Sequence, residues 1–332
     1  MSPLGVAVLG CGFQGGIHAE NVAASARANL VACVDVDLER ASRLAEATGA
    51  GRATERLDEV WAADDVDAVV VATTTNTHYD LALAAARHGK HLLLEKPMAL
   101  TVDECLDIER ACHESGITAV VGYKFRFTAA ALAAREAVPR PRVLHAHTLY
   151  DPAPVGANSW VNDRAASGGR LVSSLVHAVD LLRFLAGDEV VRVYAEGAVV
   201  AEPTLGEPDT TVATLLFRGG AVASLVHGTA GASGLVSTWS FQTADAGVNA
   251  TIHAHGRRVV VHRDGQADEK VEDPVTDPFR AGTGSLFEAF AGAISGETRD
   301  LPGPRDGTLS LLVSRCVEEA MASGQPVTVP VL

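Results

Sequence analysis

Five short and almost continuously apolar runs mark the first third of the chain: GVAVLG, LVACVD, VDAVVVATTT, HLLLEKP and ITAVVGY. None alternates polar and apolar residues as a half-exposed strand would. Amphipathic stretches of helical period separate them, over residues 14–26, 37–48, 77–88 and 101–115. Apolar strands interleaved with helices predict an α/β unit with a doubly wound parallel sheet covered on both faces. The pattern changes after about Tyr123. From Arg142 the runs lengthen and many alternate, as in VLHAHTLY, VVRVYAEGAVV and DTTVATLLFRGGAVASLVHG, with turn chemistry at RGGA, DAGVN and HGRR. This predicts a second, α+β domain with a large and mostly antiparallel sheet. Its opening helix, GGRLVSSLVHAVD, is inserted before the later strands. Two further helices are expected, over 285–294 and 306–322. The division is drawn at residues 1–123 and 124–332.

Composition narrows the function classes. The 332 residues are 47% hydrophobic, enough for two ordinary cores. A net charge of -14 without a basic block disfavours nucleic acid and anionic membrane as partners. No segment reads as a membrane span: the charge-poor stretch 219–244 is rich in Gly, Ser and Thr and reads as strands and turns. MSPLGVAVLG carries no basic n-region and reads as a strand rather than a secretory signal. Cys11, Cys33, Cys105, Cys112 and Cys316 are odd in number, scattered and without a CxxC, which predicts reduced thiols and a cytoplasmic protein.

GCGFQG, spanning Gly10, Gly12, Phe13, Gln14 and Gly15, fits GxGxxG. It directly follows the first strand and opens a helix, and Asp35 falls about 20 residues on at the end of the second strand. In that setting Gly10 permits the turn, Gly12 lets the backbone approach a pyrophosphate, and Gly15 allows close helix–strand packing. The helix N-terminus presents N–H groups to phosphate. Asp35 accepts the ribose hydroxyls and repels a 2′-phosphate. No arginine follows at Val36, so the expected cofactor is NAD rather than NADP. Glu95 and Lys96 follow a buried strand, at the sheet end where ligands bind. Thr73, Thr74, Asn76 and His78 sit past another strand end and are expected, with Glu95 and Lys96, to line the cofactor. A lysine there polarises a substrate oxygen. Ser173, His177 and Asp180 share one helical face, which reads either as a satisfied core histidine or as an acid/base.

Together GCGFQGGIHAENV, ATTTNTHYDLALAAARHGKHLLLEKPMALT, VGYKFRF, GGRLVSSLVHAVDLLRFLAG and DGTLSLLVSRCVEEAMASGQPVTV resemble the glucose–fructose oxidoreductase / inositol dehydrogenase / rhizopine-catabolism (Gfo/Idh/MocA) family over nearly the whole chain. The resemblance implies a Rossmann domain and a second domain with an open sheet serving a homodimer or homotetramer. It implies NAD(P)-dependent oxidation or reduction of a sugar or cyclitol carbon, with Lys96 and His177 catalytic. Many such enzymes carry an aspartate four residues before the helix histidine; here Ser173 stands in its place. The acid/base is then His177 with Lys96, a substitute carboxylate such as Asp163, or Tyr123. Substrate contacts are expected from Lys96, Tyr123, Lys124, Arg126, Trp160, Asn162, Arg164, Ser173 and His177, with Asn158 in the same loop. Trp160 either stacks on a sugar or packs on the sheet. Lys124 and Arg126 either bind an anionic substrate group or form salt bridges. The pairs His145/His147 and His253/His255 lack acidic or cysteine partners, so no metal is expected. Two other activities fit the same residues: a ketosugar reductase of deoxysugar or aminocyclitol biosynthesis, and an NAD-binding regulator without turnover.

Overall fold

The apolar runs of the first third become five strands of a six-stranded parallel sheet. They are β1 (Leu4–Leu9), β2 (Ala28–Val34), β4 (Ala68–Val71), β5 (His91–Leu94) and β6 (Ala119–Val121). The sixth, β3 (Arg52–Thr54), is three residues long and carries no apolar run to reveal it. The computed structural model describes residues 3–151, 159–200, 206–229, 240–254, 256–297 and 300–332. The strand order is β3-β2-β1-β4-β5-β6. All of β4 and nearly all of β1 are buried, which explains their lack of alternation. The order reverses between β1 and β4, so the loops after these strands lie side by side at the switch point where such sheets bind ligands.

Helices α1 (Phe13–Ala24), α2 (Leu38–Thr48), α3 (Leu57–Trp61), α4 (Thr75–Arg87) and α5 (Val102–Ser115) connect the strands. Two carry strong local signals. Asp37 caps α2 by accepting from the Arg40 N–H at 3.1 Å. Thr101 and Glu104 form a capping box on α5.

The chain divides into two units, residues 1–123 with 283–308, and residues 124–282 with 309–332. Segment 283–308, expected in the second domain, is therefore part of the first. Its helix α9 (Thr283–Ile294) buries Leu286, Phe287 and Phe290 and packs on α1 and β5. Arg27 pairs with Glu288 and Glu297, and the Val121 N–H donates to the Pro302 carbonyl at 2.7 Å. These partners are far apart in sequence, so periodicity cannot announce them. Helix α10 (Pro304–Ser323) contributes its first residues to this unit and the rest to the second.

Among the described residues the second unit is built on nine strands: β7 (Val143–Leu149), β8 (Val190–Ala198), β9 (Thr210–Phe217), β10 (Val222–Gly228), β11 (Ser240–Asp245), β12 (Val248–His253), β13 (Arg258–Arg263), β14 (Glu269–Glu272) and β15 (Val327–Thr328). Their order is β14-β13-β12-β11-β7-β10-β9-β8-β15, antiparallel except for the β7–β10 pair. Helices α6 (Ala129–Ala137) and α8 (Arg170–Ala186) pack on this sheet, and the four-residue α7 (Arg164–Ser167) precedes α8. The alternation along β7 and β9 buries Leu144, Ala146, Thr148, Ala213 and Leu215. The opposite face leaves Val212, Val222 and Tyr194 exposed. Helix α6, an alanine-rich segment, was not among the expected elements. Among the described residues no helix is long and apolar enough to cross a membrane. All five cysteines are buried and unbridged.

Candidate active site

The loop between β1 and α1 is shaped by glycines. Gly10 has φ +92°, and a Cβ there would lie 2.5 Å from the Ala72 carbonyl oxygen after β4. A Cβ on Gly15 would lie 1.8 Å from the Gly10 carbonyl oxygen, so helix and loop touch backbone to backbone. The corresponding space at Gly12 is open. Gly12 is also the N-cap of α1, which has no side-chain cap and no acidic residue in its first turn. Phe13 is exposed and Gln14 half-buried beside it. An open concavity at an uncapped helix N-terminus suits the pyrophosphate of a dinucleotide.

Asp35 directly follows β2 and is buried against this loop. Its Oδ2 accepts the Cys11 N–H at 2.8 Å and its Oδ1 accepts the Asp37 N–H at 3.0 Å. Val36, next in sequence, is not an arginine. The structure supplies one a turn later: the exposed Arg40 reaches Asp35 with Nη1 at 3.3 Å from Oδ1.

The EKP turn after β5 is held from two sides. Glu95 is buried, and its Oε1 lies 2.8 Å from Nε2 of His18, a fully buried residue of α1. Its Oε2 accepts the Lys96 N–H at 3.1 Å. A Cβ on Gly122 would come within 3.0 Å of this carboxylate, so the glycine after β6 makes its room. Burial opposes the Glu95 charge, but the His18 hydrogen bond together with the neighbouring charge and N–H of Lys96 holds the carboxyl below its ordinary pKa. Glu95 was expected to line the cofactor; its carboxylate is instead turned inward, to His18. His78, expected at the same place, is also turned to protein partners. Helix α4 begins at Thr75, two residues earlier than expected, and the His78 ring is buried with Nδ1 2.8 Å from the Pro97 carbonyl and Nε2 3.3 Å from the Thr73 carbonyl. Burial lowers its pKa. His78 is a clamp between the turns after β4 and β5. Thr73 and Thr74 are half-buried and Asn76 is exposed. Lys96 is half-buried, and desolvation lowers its ammonium pKa against the raising effect of Glu95.

In the second unit, Gly168 and Gly169 have φ +81° and +111° and join α7 to α8 in a backbone path open to glycine. Fifteen of the 17 residues of α8 are buried; Ser174 and His177 are the two that reach solvent. The expected stripe of Ser173, His177 and Asp180 is therefore not a common exposed face. The Ser173 hydroxyl donates to the Arg170 carbonyl at 2.8 Å within its own turn. Asp180 accepts from Arg126 at 2.8 and 2.6 Å in a buried bidentate pair, with Arg183 and Ser310 beside it. Arg126, expected at the substrate, is thus committed to the core. Replacing Arg126 with Met removes the bidentate partner of Asp180, leaving the more distant Arg183 at 3.8 Å, and should destabilise the fold by about 3 kcal/mol. Thermal unfolding of the variant reads this directly. A melting temperature equal to wild type would refute the structural role. His177 packs edge-on against Phe125, with ring centroids 5.1 Å apart.

The other expected substrate contacts are dispersed. Lys124 is buried and donates to the Pro278 and Phe279 carbonyls. Arg164 pairs with Glu207 and Glu318, and Asn162 accepts from Arg170 at 2.8 Å. Asp163, the substitute carboxylate, caps α7 by accepting the Ala165 N–H at 2.9 Å. Tyr123, the alternative acid/base, is 1% exposed. Trp160 is 41% exposed on a 3-10 turn. Asn158 and His255 lie outside the described residues. His145 and His147 stack with centroids 6.3 Å apart, and His145 bonds Ser224. Among the described residues no cluster of His, Cys, Asp or Glu is arranged to hold a metal ion.

Comparison with known proteins bears on both units. The oxidoreductase family with an NAD-binding Rossmann fold (GFO/IDH/MocA) matches residues 4–123. The GFO/IDH/MocA C-terminal domain matches residues 128–243. Myo-inositol 2-dehydrogenase of Thermotoga maritima is 33% identical over 65% of this chain and 66% of its own length. Inositol 2-dehydrogenase of Rhizobium meliloti is 26% identical over 97% of this chain and 98% of its own. The crystal structure of an aldose-aldose oxidoreductase from Caulobacter crescentus, complexed with glycerol, superposes with a TM-score of 0.85 at 25% identity, covering 98% of this chain and 99% of that one. With its glycine loop, its Asp35 and its EKP turn in a parallel sheet of this order, the chain belongs to the GFO/IDH/MocA oxidoreductase family and its first part is an NAD-binding Rossmann fold.

Proposed function

We propose that this protein is an NAD-dependent dehydrogenase that oxidises a secondary alcohol of a sugar or cyclitol, with Lys96 and His177 as its catalytic residues. The observation that carries the reading is the EKP turn: a lysine with a depressed pKa at the carboxyl end of a buried strand, on the same sheet as an open glycine loop. The inositol dehydrogenases among the relatives support the substrate class. When bound, NAD supplies the hydride acceptor, held by the α1 N-terminus, Gly12 and Asp35. Lys96 stabilises the developing alkoxide with its positive charge. His177 takes the hydroxyl proton, since its imidazole is the titratable group of α8 that meets solvent. In the reverse direction His177 donates and Lys96 polarises the carbonyl. The exposed face of the nine-stranded sheet, with Val212, Val222 and Tyr194, supports assembly into a homodimer or homotetramer. NADH formation across a panel of inositols, aldoses and polyols tests the reading; an inert panel with NAD demonstrably bound would contradict it.

Cofactor choice is tested separately. Replacing Asp35 with Ser should lower kcat/KM for NAD roughly 10- to 100-fold, as expected for losing charged hydrogen bonds to the ribose. It should raise the value for NADP, because Arg40 is then released from Asp35 toward a 2′-phosphate. An unchanged NAD to NADP ratio would remove Asp35 from the ribose.

A further inference from the structure

The histidine pair of β7 takes no part in the reaction above. It stands on the outward face of the nine-stranded sheet. The register puts Val222, Ser224 and Val226 of β10 beside Val143, His145 and His147. The neighbouring strands continue these rows, with Val212 of β9 beside Val226 and Gln242 of β11 beside His145. Among the described residues, the outward positions of β12, β11, β7, β10 and β9 include no Asp, Glu, Lys or Arg. Val143, Val212 and Val222 are exposed there. Charge returns on the flanking strands, with Arg192 and Glu196 on β8 and Arg258 on β13. A charge-free middle inside a charged rim is the composition of a protein–protein contact, because the centre of such a contact must not strand an unpaired charge away from water. Five strands about 4.8 Å apart and about 20 Å long make a patch of roughly 24 by 20 Å, and with the rim strands the face approaches the ~800 Å² per partner of a stable contact.

We propose that this face receives a second copy of this chain with His145 and His147 at the centre of the contact, and that protonating the pair releases it. The inference rests on the homo-oligomer of the reading above and adds what controls it. Strand β7 is the middle one of the nine, and the two histidines flank its midpoint, Ala146. Two identical copies pair about a two-fold axis. An axis lying in the contact and passing through the middle of the face makes β7 cross the β7 of the second copy, so two histidines become four. The rim carries both signs on one strand, Arg192 and Glu196, which a second copy complements with the same two residues. The His145 and His147 rings already stack with centroids 6.3 Å apart. The Ser224 hydroxyl, 2.8 Å from His145 Nδ1, is a neutral partner. Facing the pair are Ser224 and Val226 from β10 and Ser240 and Gln242 from β11, none of them charged. Farther out on the face stand His253 on β12, with Arg258 acting on it, and Arg192 and Glu196 on β8. Burial and the charge of His147 already hold the His145 pKa below the ordinary histidine value. Covering the face removes more water and adds a second pair, which lowers the imidazole pKa values further. The assembled state then binds fewer protons than the separate copies. The contact is at full strength above the ordinary histidine range and weakens as pH falls through it.

Sedimentation velocity of the full chain from mildly alkaline to mildly acidic pH tests this, with circular dichroism reporting the fold at each pH. The proteins are wild type, the double variant His145→Gln/His147→Gln, and Val222→Arg and Val212→Arg singly. Wild type should associate at alkaline pH, with a dissociation constant that rises roughly 10- to 100-fold on acidification. The glutamine variant, whose amides take no proton, should associate equally at both ends of the range. Each arginine variant puts a charge in the middle of the face at an exposed position and should remain a single folded copy throughout. Wild type that associates equally at every pH, or a glutamine variant that keeps the acid response, would overturn the histidine control and leave the homo-oligomer standing. Association undiminished in both arginine variants would place the contact on another face and overturn the inference. Single copies of wild type at every pH would overturn the homo-oligomer and the inference together, while NADH formation from a polyol reads the dehydrogenase independently.

Discussion

Replacing Lys96 with Met should lower kcat for alcohol oxidation by about 10³-fold while leaving NAD affinity within a few-fold of wild type. The expectation follows from where the chain puts this ammonium. It sits at the carboxyl end of β5, half-buried, on a turn fixed by Glu95 to His18 and by Pro97 to His78. A charge held in that way contributes to a developing alkoxide without reorganising, whereas a solvated lysine contributes little. Methionine keeps the aliphatic stem and removes the charge. Lys96→Arg should not restore the rate, because a guanidinium does not fit the geometry of a turn built around a point charge. The pH dependence carries a sign. The rate requires the protonated amine, so it is present below the Lys96 pKa and lost above it. Burial moves that pKa down, so the alkaline fall should come earlier than an ordinary lysine would give. In Lys96→Met that limb should vanish from the profile. Near wild-type turnover in Lys96→Met would remove the lysine from the chemistry.

His177→Ala should cost about 10²-fold in kcat. The side chain is one of two on α8 that meet solvent, and its ring is set by Phe125. Shortening it to alanine vacates the space without disturbing the buried face of the helix. Added imidazole should therefore restore part of the rate in the variant and none in wild type. Full activity in His177→Ala, or no rescue together with an unchanged pH profile, would refute the assignment.

Much of the first unit was legible because its signals are local. Continuous apolar runs, a glycine loop opening a helix and an aspartate at the end of the next strand each depend on residues near one another in the chain. The three-residue β3 and the alanine-rich α6 carry too little pattern to be read. The return of 283–308 to the first unit depends on Leu286, Phe287 and Phe290 packing against α1 and β5, which lie far earlier in the chain. The buried partners of the candidate site residues are hidden from the sequence for the same reason. Helical spacing grouped Ser173, His177 and Asp180 correctly in angle, but spacing cannot tell that Arg126, 54 residues away, has taken Asp180 into the core. Nor does it show that His18 holds Glu95, since the two lie 77 residues apart. The sequence signal for this pair is a histidine within the first helix together with a glutamate immediately before Lys96.

Deuterium transfer tests the central claim most directly. Inositols and sugars deuterated at their carbinol carbons are incubated with the protein and NAD, and the reduced cofactor is examined by mass spectrometry and NMR. The expected result is one deuterium on C4 of the nicotinamide from a secondary carbinol, with turnover slowed relative to the protonated substrate. Reduced cofactor free of deuterium, or bound NAD with no reduction across the whole panel, would contradict hydride transfer from a sugar or cyclitol alcohol.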